Sequence, residues 1–253
     1  MAKTVKFIIA NGSGPTGRLL RDMLEERGVD IVEEGADAII SYGVPLKGNE
    51  KPVLNAAAGG SKLTQLQKLI DGGVSCPLTV RFGNQMPPAI FPALARKEHH
   101  KGGTDIVLVM QPEDIPVRQQ QGYSYLTKFL PVKDEFRVWV YRQRHLGTYK
   151  KFLKYPEKYR RIGRNYDNGF AFELVKAENL PMAAIELAGK AVAALGLDFG
   201  AVDILQSTDD RFYVLEVNTA PGVQGENRQV AQGLVAKFEK WVKLGFPKRH
   251  GAR

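Results

Sequence analysis

Three side chains toward the C-terminal end of the sequence are of the types that bind hard cations. Asp203 sits in the apolar run Ala201-Val-Asp-Ile-Leu205, and Glu216 and Asn218 sit in Val214-Leu-Glu-Val-Asn218. Side chains alternate along a strand, so Glu216 and Asn218 share a face, and a hairpin turning at 207–210 can bring Asp203 across from them. Two carboxylates and an amide on one face suit Mg2+, which is held by one or two carboxylates together with substrate phosphates. The competing reading is three polar residues on the wet face of a hairpin.

Two further features could carry chemistry. Gly12-x-Gly14-x-x-Gly17 follows an apolar run and opens a helical pattern, the context in which glycines let a backbone approach a pyrophosphate. Asp30 or Glu33 would then supply the ribose acid of a nicotinamide site. Against this, the unit is short, and the glycines with Pro15 equally make a tight strand-to-helix turn. The second feature is charge. The formal net charge is +9, with a dense basic block from Arg137 to Arg164 and a basic tail at Lys248, Arg249 and Arg253. A nucleic acid, a nucleotide or a carboxylate substrate would each answer such a block. Tyr149, Phe152, Tyr155, Tyr159 and Tyr166 interleave with it, as on a single-strand stacking platform, or as in a substrate loop packed on its own domain.

These residues need elements to position them. A strand is predicted over 5–10, a helix after Gly17, and short strands over 29–32 and 38–41; the small run Ala56-Ala-Ala-Gly-Gly60 marks a boundary. A helix follows over 62–70, then a strand opening at Cys76-Pro77, and strands over 89–96 and 106–110 flanking a glycine turn. Strands over 123–130 and 135–141 come next, a loop over 155–168, a long helix over 181–195, the hairpin of 201–206 and 212–217, and a last helix over 230–241. With 253 residues, 43% of them hydrophobic and 25% charged, the chain is globular in composition. No apolar run approaches the roughly 20 residues that span a bilayer. One cysteine, Cys76, excludes an internal disulfide framework. A cytoplasmic protein without membrane partners is expected.

Leu215-Glu-Val-Asn-Thr-Ala-Pro-Gly222, preceded by Leu197-Asp-Phe-Gly-Ala-Val-Asp-Ile204, resembles the magnesium hairpin of the ATP-grasp superfamily. Other family motifs appear in the family's order. Ser61-Lys-Leu-Thr64 and Gly73-Val-Ser-Cys-Pro77 are similar to its first helix and the turn behind it. Arg96 stands ahead of a glycine-rich loop, His99-His-Lys-Gly-Gly-Thr-Asp105. Tyr125-Leu-Thr-Lys-Phe-Leu130 resembles the hinge that reads adenine, and Asp134-Glu-Phe-Arg-Val138 the acid-x-Arg strand behind it. The set is closest to the ribosomal-protein glutamate ligase-like branch. Departures are Thr127 where several members have an acid, Arg96 for the more usual Lys, and Ala201 where the D-alanine–D-alanine ligase branch has Arg.

The resemblance implies an α/β and α+β chain of ATP-grasp fold: a Rossmann-like unit over 1–58, a small subdomain with the phosphate loop over 59–130, and a large subdomain with the metal hairpin over 131–253. It implies an ADP-forming carboxylate–amine ligase that works through an acyl phosphate. Lys62 and Arg96 would contact ATP phosphates, and His99, Gly102 and Gly103 would belong to the loop over them. Lys128, Phe129 and Leu130 would flank the adenine, and Glu135 the ribose. Arg137, Lys151 and Arg164 would meet the transferred phosphoryl group or substrate carboxylate, with Asn168 orienting the acceptor. Asp203, Glu216 and Asn218 would hold Mg2+, as two ions, with Mn2+ as a substitute. The expected partners are ATP, a carboxylate donor and an amine acceptor of the amino-acid or peptide class, and a homo-oligomer is compatible with the family. The alternative is a basic nucleic-acid-binding protein with a vestigial nucleotide site.

Overall fold

The computed structural model describes residues 3–11, 14–46, 48–56, 60–98, 106–159, 162–223 and 228–248. The chain begins with β1 (Thr4–Ile9), α1 (Gly14–Glu26), β2 (Asp30–Ile31), β3 (Ala38–Tyr42) and β4 (Val53–Leu54). These strands form a parallel sheet in the order β2-β1-β3-β4. Parallel pairing needs a crossover, and α1 provides it, burying Leu20 and Leu24. Gly17 explains how closely the helix lies: a Cβ there would stand 2.5 Å from Ile9 Cγ2. The third glycine of the sequence motif is thus a packing requirement. Gly12 lies outside the described residues.

Next come α2 (Lys62–Asp71), β5 (Thr79–Arg81), β6 (Ala93–Arg96), β7 (Ile106–Val109), α3 (Ile115–Gln120) and β8 (Tyr125–Lys128). The strands make an antiparallel sheet ordered β5-β8-β6-β7. Two expectations shift here. The strand expected over 89–96 is a 3-10 turn at Pro88–Ile90 followed by β6, with Phe91-Pro92 between them, because proline cannot donate to a ladder. The strand expected to open at Cys76-Pro77 begins at Thr79.

The remaining chain builds a five-stranded antiparallel sheet, β11-β10-β9-β12-β13. It uses β9 (Val132–Tyr141), β10 (Arg144–Leu153), β11 (Phe170–Leu174), α4 (Met182–Ala194), β12 (Phe199–Ser207), β13 (Phe212–Asn218) and α5 (Arg228–Lys243). Strands β10 and β11 are absent from the sequence-based expectation. Adjacent lysines at 150 and 151 hide the alternation of β10, yet each finds an acid on β9, Lys150 with Asp134 and Lys151 with Glu135. Segment 155–168 is irregular apart from 3-10 turns at Pro156–Lys158 and Tyr166–Asn168.

The two faces of this sheet have different work. Phe136, Val138, Val140, Val202, Ile204 and Val214 pack with Ala184, Ala188 and Val192 of α4. On the other face, Trp139, Tyr141, Tyr149, Phe199 and Ala201 pack with Phe238 and Trp241 of α5 and with Val5, Phe7 and Tyr42 of the first sheet. Further along that second face the chain turns polar, at Glu135, Arg137, Lys151, Asp203 and Glu216. There the sheet floors a cleft.

Candidate functional site

The cleft has a volume of 540 Å³ and lies between the small antiparallel sheet and the polar half of the five-stranded sheet. Leu94, Arg96, Ile106 and Thr127 line it from one side, Lys128, Phe129 and Leu130 at the connection, and Glu135, Arg137, Lys151, Leu205, Leu215 and Glu216 from the other. The β12–β13 register sets Asp203 directly opposite Glu216 and Ala201 opposite Asn218. Asp203 is also opposite Arg137 on β9. Arg137, Asp203 and Glu216 therefore form a row across three strands.

Each acid in the row is held by a cation. Arg137 donates through Nε and Nη2 to the two oxygens of Asp203, at 2.7 and 2.8 Å, and its guanidinium lies 4.6 Å from the Phe172 ring centroid. Lys62 Nζ, at the first residue of α2, is 2.5 Å from Glu216 Oε2. Asn218 Nδ2 donates to Glu216 Oε1 at 3.2 Å. Burial alone would raise the Asp203 carboxyl, but Arg137, joined by Lys151 and Lys62, outweighs burial and holds it below the ordinary carboxylate range. Burial works to lower Arg137, and Asp203 more than reverses that.

A second cluster lies beside the first. Glu135, 5% exposed, takes the Lys151 ammonium on Oε1 and has Arg164 Nε 3.2 Å from Oε2. Burial pushes Glu135 up, against the pull of Lys151. The Arg164 guanidinium rests 4.8 Å from the Phe170 ring centroid, and its Nε is not directed at an acceptor. Glu135 was expected to meet ribose hydroxyls, but here both of its oxygens face cations.

The connection between the sheets is fixed from behind. Phe129 donates its backbone N–H to Pro92 O at 2.9 Å, whereas no described acceptor takes the Leu130 N–H. Lys128 Nζ donates to the carbonyls of Ala89 and Phe91, so the lysine braces the segment. Arg96 Nε donates to Thr127 Oγ1 at 3.0 Å, and burial lowers the arginine from its ordinary value.

Asn168 stands apart from the expectation. Its Nδ2 donates to the carbonyls of Gly163 at 2.7 Å and Ile162 at 3.3 Å, and the residue does not line the cleft. It clips the loop that carries Arg164. His99, Gly102 and Gly103 lie outside the described residues. Gln65 went unnoticed in the sequence: its amide exchanges two bonds with the Val217 backbone, at 2.8 and 2.9 Å, and so fixes Lys62 over Glu216. Tyr159 and Tyr166 also reach the cleft, from the loop over 155–168.

Two chemical inferences follow. Asp203, Glu216 and Asn218 supply hard oxygens on one sheet face, two of them carboxylate, which fits Mg2+. Among the described residues no cluster of three His, Cys, Asp or Glu forms a metal cage, so a cation here would complete its coordination with water or substrate oxygens. Within the basic block, Arg137, Arg142, Lys150, Lys151 and Arg164 face carboxylates, whereas Arg144, Lys154 and Lys158 are exposed.

The three sheets and the cleft between the second and third define the ATP-grasp fold. No family model matches the chain. It is similar to the D-alanine–D-alanine ligase of Pseudomonas entomophila, 24% identical over 233 residues that make up 86% of this chain and 67% of that protein. Among solved structures, the D-alanine–D-alanine ligase from Bacillus anthracis complexed with ATP superimposes with a TM-score of 0.66 at 15% identity, over 96% of this chain and 99% of that one. The ATP-grasp ligase PsnB complexed with minimal precursor, Mg and ADP does so with a TM-score of 0.67 at 14% identity, over 94% and 98%. Among the described residues no helix is long and apolar enough to cross a membrane.

Proposed function

We propose that this chain is an ATP-dependent, ADP-forming carboxylate–amine ligase. The observation that carries the reading is the row Arg137–Asp203–Glu216 in one cleft with Lys62, Arg96 and the 128–130 connection. An oxygen-rich face, phosphate-binding cations and a backbone edge for a base are what phosphoryl transfer requires. The names of similar proteins support it: they are ligases, solved with ATP in one case and with Mg and ADP in another.

In this reading the backbone of the 128–130 connection takes the adenine edge, with the Leu130 N–H donating to a ring nitrogen, between Leu94 and Ile106 on one side and Leu205 and Leu215 on the other. Lys62 and Arg96 neutralise the phosphates, Arg96 through the part of its fork not committed to Thr127. The loop with His99, Gly102 and Gly103 covers them, and Glu135 faces the ribose once Lys151 or Arg164 turns to the phosphoryl group. Mg2+ held by Asp203, Glu216 and Asn218, as one or two ions and with Mn2+ as a substitute, would supply electrostatic stabilisation of the charge on the transferred group. A carboxylate oxygen of the donor attacks the γ-phosphorus and ADP leaves. The amine nitrogen then attacks the acyl carbon, loses a proton and expels phosphate, leaving an amide.

The donor in this reading is of the amino-acid or peptide class, which the basic, aromatic wall of Arg164, Tyr159 and Tyr166 in the cleft suits as a contact for a carboxylate. The acid-x-Arg strand Glu135–Arg137 and the absence of an arginine at Ala201 support placing the chain nearer the ribosomal-protein glutamate ligase-like branch. Domain limits near 58 and 130 are proposed on the three-sheet division.

Hydroxylamine as a surrogate amine tests the chemistry. ATP-dependent acyl hydroxamate formation from a pool of amino acids and short peptides is expected. ADP formation that leaves every carboxylate unmodified would refute the acyl-phosphate route.

A further inference from the structure

Arg137 and a divalent cation cannot hold Asp203 in the same way at the same time. Both Asp203 oxygens accept charge-assisted bonds from one guanidinium, at 2.7 and 2.8 Å. A cation bound at the ordinary oxygen distance of about 2.0–2.1 Å would lie within a few ångströms of that guanidinium, on the same buried carboxylate. Asp203 is only 6% exposed, so water screens the repulsion poorly. Arg137 is itself braced by Phe172 and by its place in the sheet, and leaves only for another anion. Phosphate oxygens in the cleft are such an anion. Lys62 on Glu216 repeats the arrangement across the hairpin.

We infer that Arg137 is a resident counter-ion that makes divalent-cation binding at Asp203 conditional on the arrival of nucleotide phosphates. The inference rests on the ligase reading for the nucleotide and goes beyond it by giving Arg137 a positioning role. Metal and nucleotide are then coupled through one side chain. By linkage each strengthens the other's binding by the same factor. Little metal is held without nucleotide, and the acids stay satisfied until the phosphates replace them as partners of Arg137.

The test is Mn2+ binding to nucleotide-free protein, read by the EPR signal of free Mn2+. Wild type should bind weakly, and Arg137→Met should bind about tenfold more tightly or better, as expected when a close charge pair no longer competes. Arg164→Met removes the same charge from the same cleft without touching a metal acid, and should change affinity by less than about threefold. Adding Asp203→Asn to Arg137→Met should abolish the gain. Arg137→Lys keeps the charge but loses the paired bonds, and should fall between wild type and Arg137→Met; if the methionine variant does not fold, a gain in the lysine variant carries the test. Equal affinity in wild type and both Arg137 variants overturns the inference, as does an equal gain in Arg164→Met. ADP release by wild type, measured in parallel, separates the two readings. Turnover without any Arg137 effect on Mn2+ sinks the counter-ion alone, and absence of turnover together with absence of Mn2+ binding by wild type and Arg137→Met even after ATP is added sinks the ligase reading with it.

Discussion

Asp203 and Glu216 face each other directly across β12 and β13, and each is gripped by a cation from a different element: Arg137 from β9 and Lys62 from α2. Each of these two acids is therefore neutralised by a resident cation. Removing one member should cost more than the loss of one contact, because it strands the partner.

The pair Arg137–Asp203 shows this most sharply. Arg137 has its side chain 20% exposed and Asp203 9%. Asp203→Ala would leave a nearly buried guanidinium without its acid, at a cost of about 3 kcal/mol. Urea denaturation of the variant should show that loss. A midpoint equal to wild type would mean that the guanidinium finds water or Glu216 at no cost.

The same pair sets a pH dependence. Asp203 lies below its ordinary value of 3.8 in the folded protein, so its contribution is complete above that value and disappears as pH falls through the folded one. The difference in unfolding free energy between wild type and Asp203→Asn should stay level from neutral pH to about pH 5 and narrow below about pH 4. A gap that widened on acidification would contradict the assigned direction.

Cys76 is predicted to be slow rather than reactive. Burial pushes its thiol up to about 12, leaving a thiolate fraction of about one in ten thousand at pH 8, against about one in ten for an ordinary thiol. Its reaction with a thiol-specific disulfide reagent should be more than about tenfold slower in native protein than in urea, the greater nucleophilicity of a high-pKa thiolate offsetting only part of its scarcity. Equal rates would show that the cysteine is not enclosed by the packing around Val74 and Tyr125.

The first sheet is seated on the loop behind the β12–β13 hairpin. Tyr42 donates its hydroxyl to Pro221 O, and Val223 donates its N–H to Thr16 Oγ1 at 3.2 Å. Gly43, at a φ of +85°, permits this approach, since a Cβ there would be 2.6 Å from Ala220 Cβ. Gly43→Val should destabilise by about 2–3 kcal/mol. Gly35→Val, at a φ of +71° but facing open space, carries the backbone strain alone and should cost less. Equal losses would mean that the loop yields freely.

Much of this geometry was legible because it is local. The hairpin announces itself by alternation, so Asp203, Glu216 and Asn218 could be placed on one face before any coordinates, and α2 shows its buried stripe in Leu63, Leu66 and Leu69. What stayed hidden depends on partners far along the chain. The sequence offers the block holding Lys150 and Lys151 as a site for an anion, and their acids on β9 come beside them only in the fold, so β10 goes unread. Gln65 looks like any exposed glutamine, yet it bonds the backbone of Val217. Asn168 is the converse case: it has the type of a substrate ligand, but nearby carbonyls claim its amide. Local hydrogen bonding of Asn competes for the group before any ligand arrives.

If this cleft uses ATP to join a carboxylate to an amine, ADP release reports it first. Wild type and Glu216→Ala would be assayed with Mg2+ and ATP across pooled amino acids and short peptides. Amine-dependent ADP release by wild type is expected, with amide product in equal amount, and it should disappear in Glu216→Ala while the variant remains folded. ADP release of equal rate in both proteins, or wild type that binds no ATP, would contradict the ligase reading.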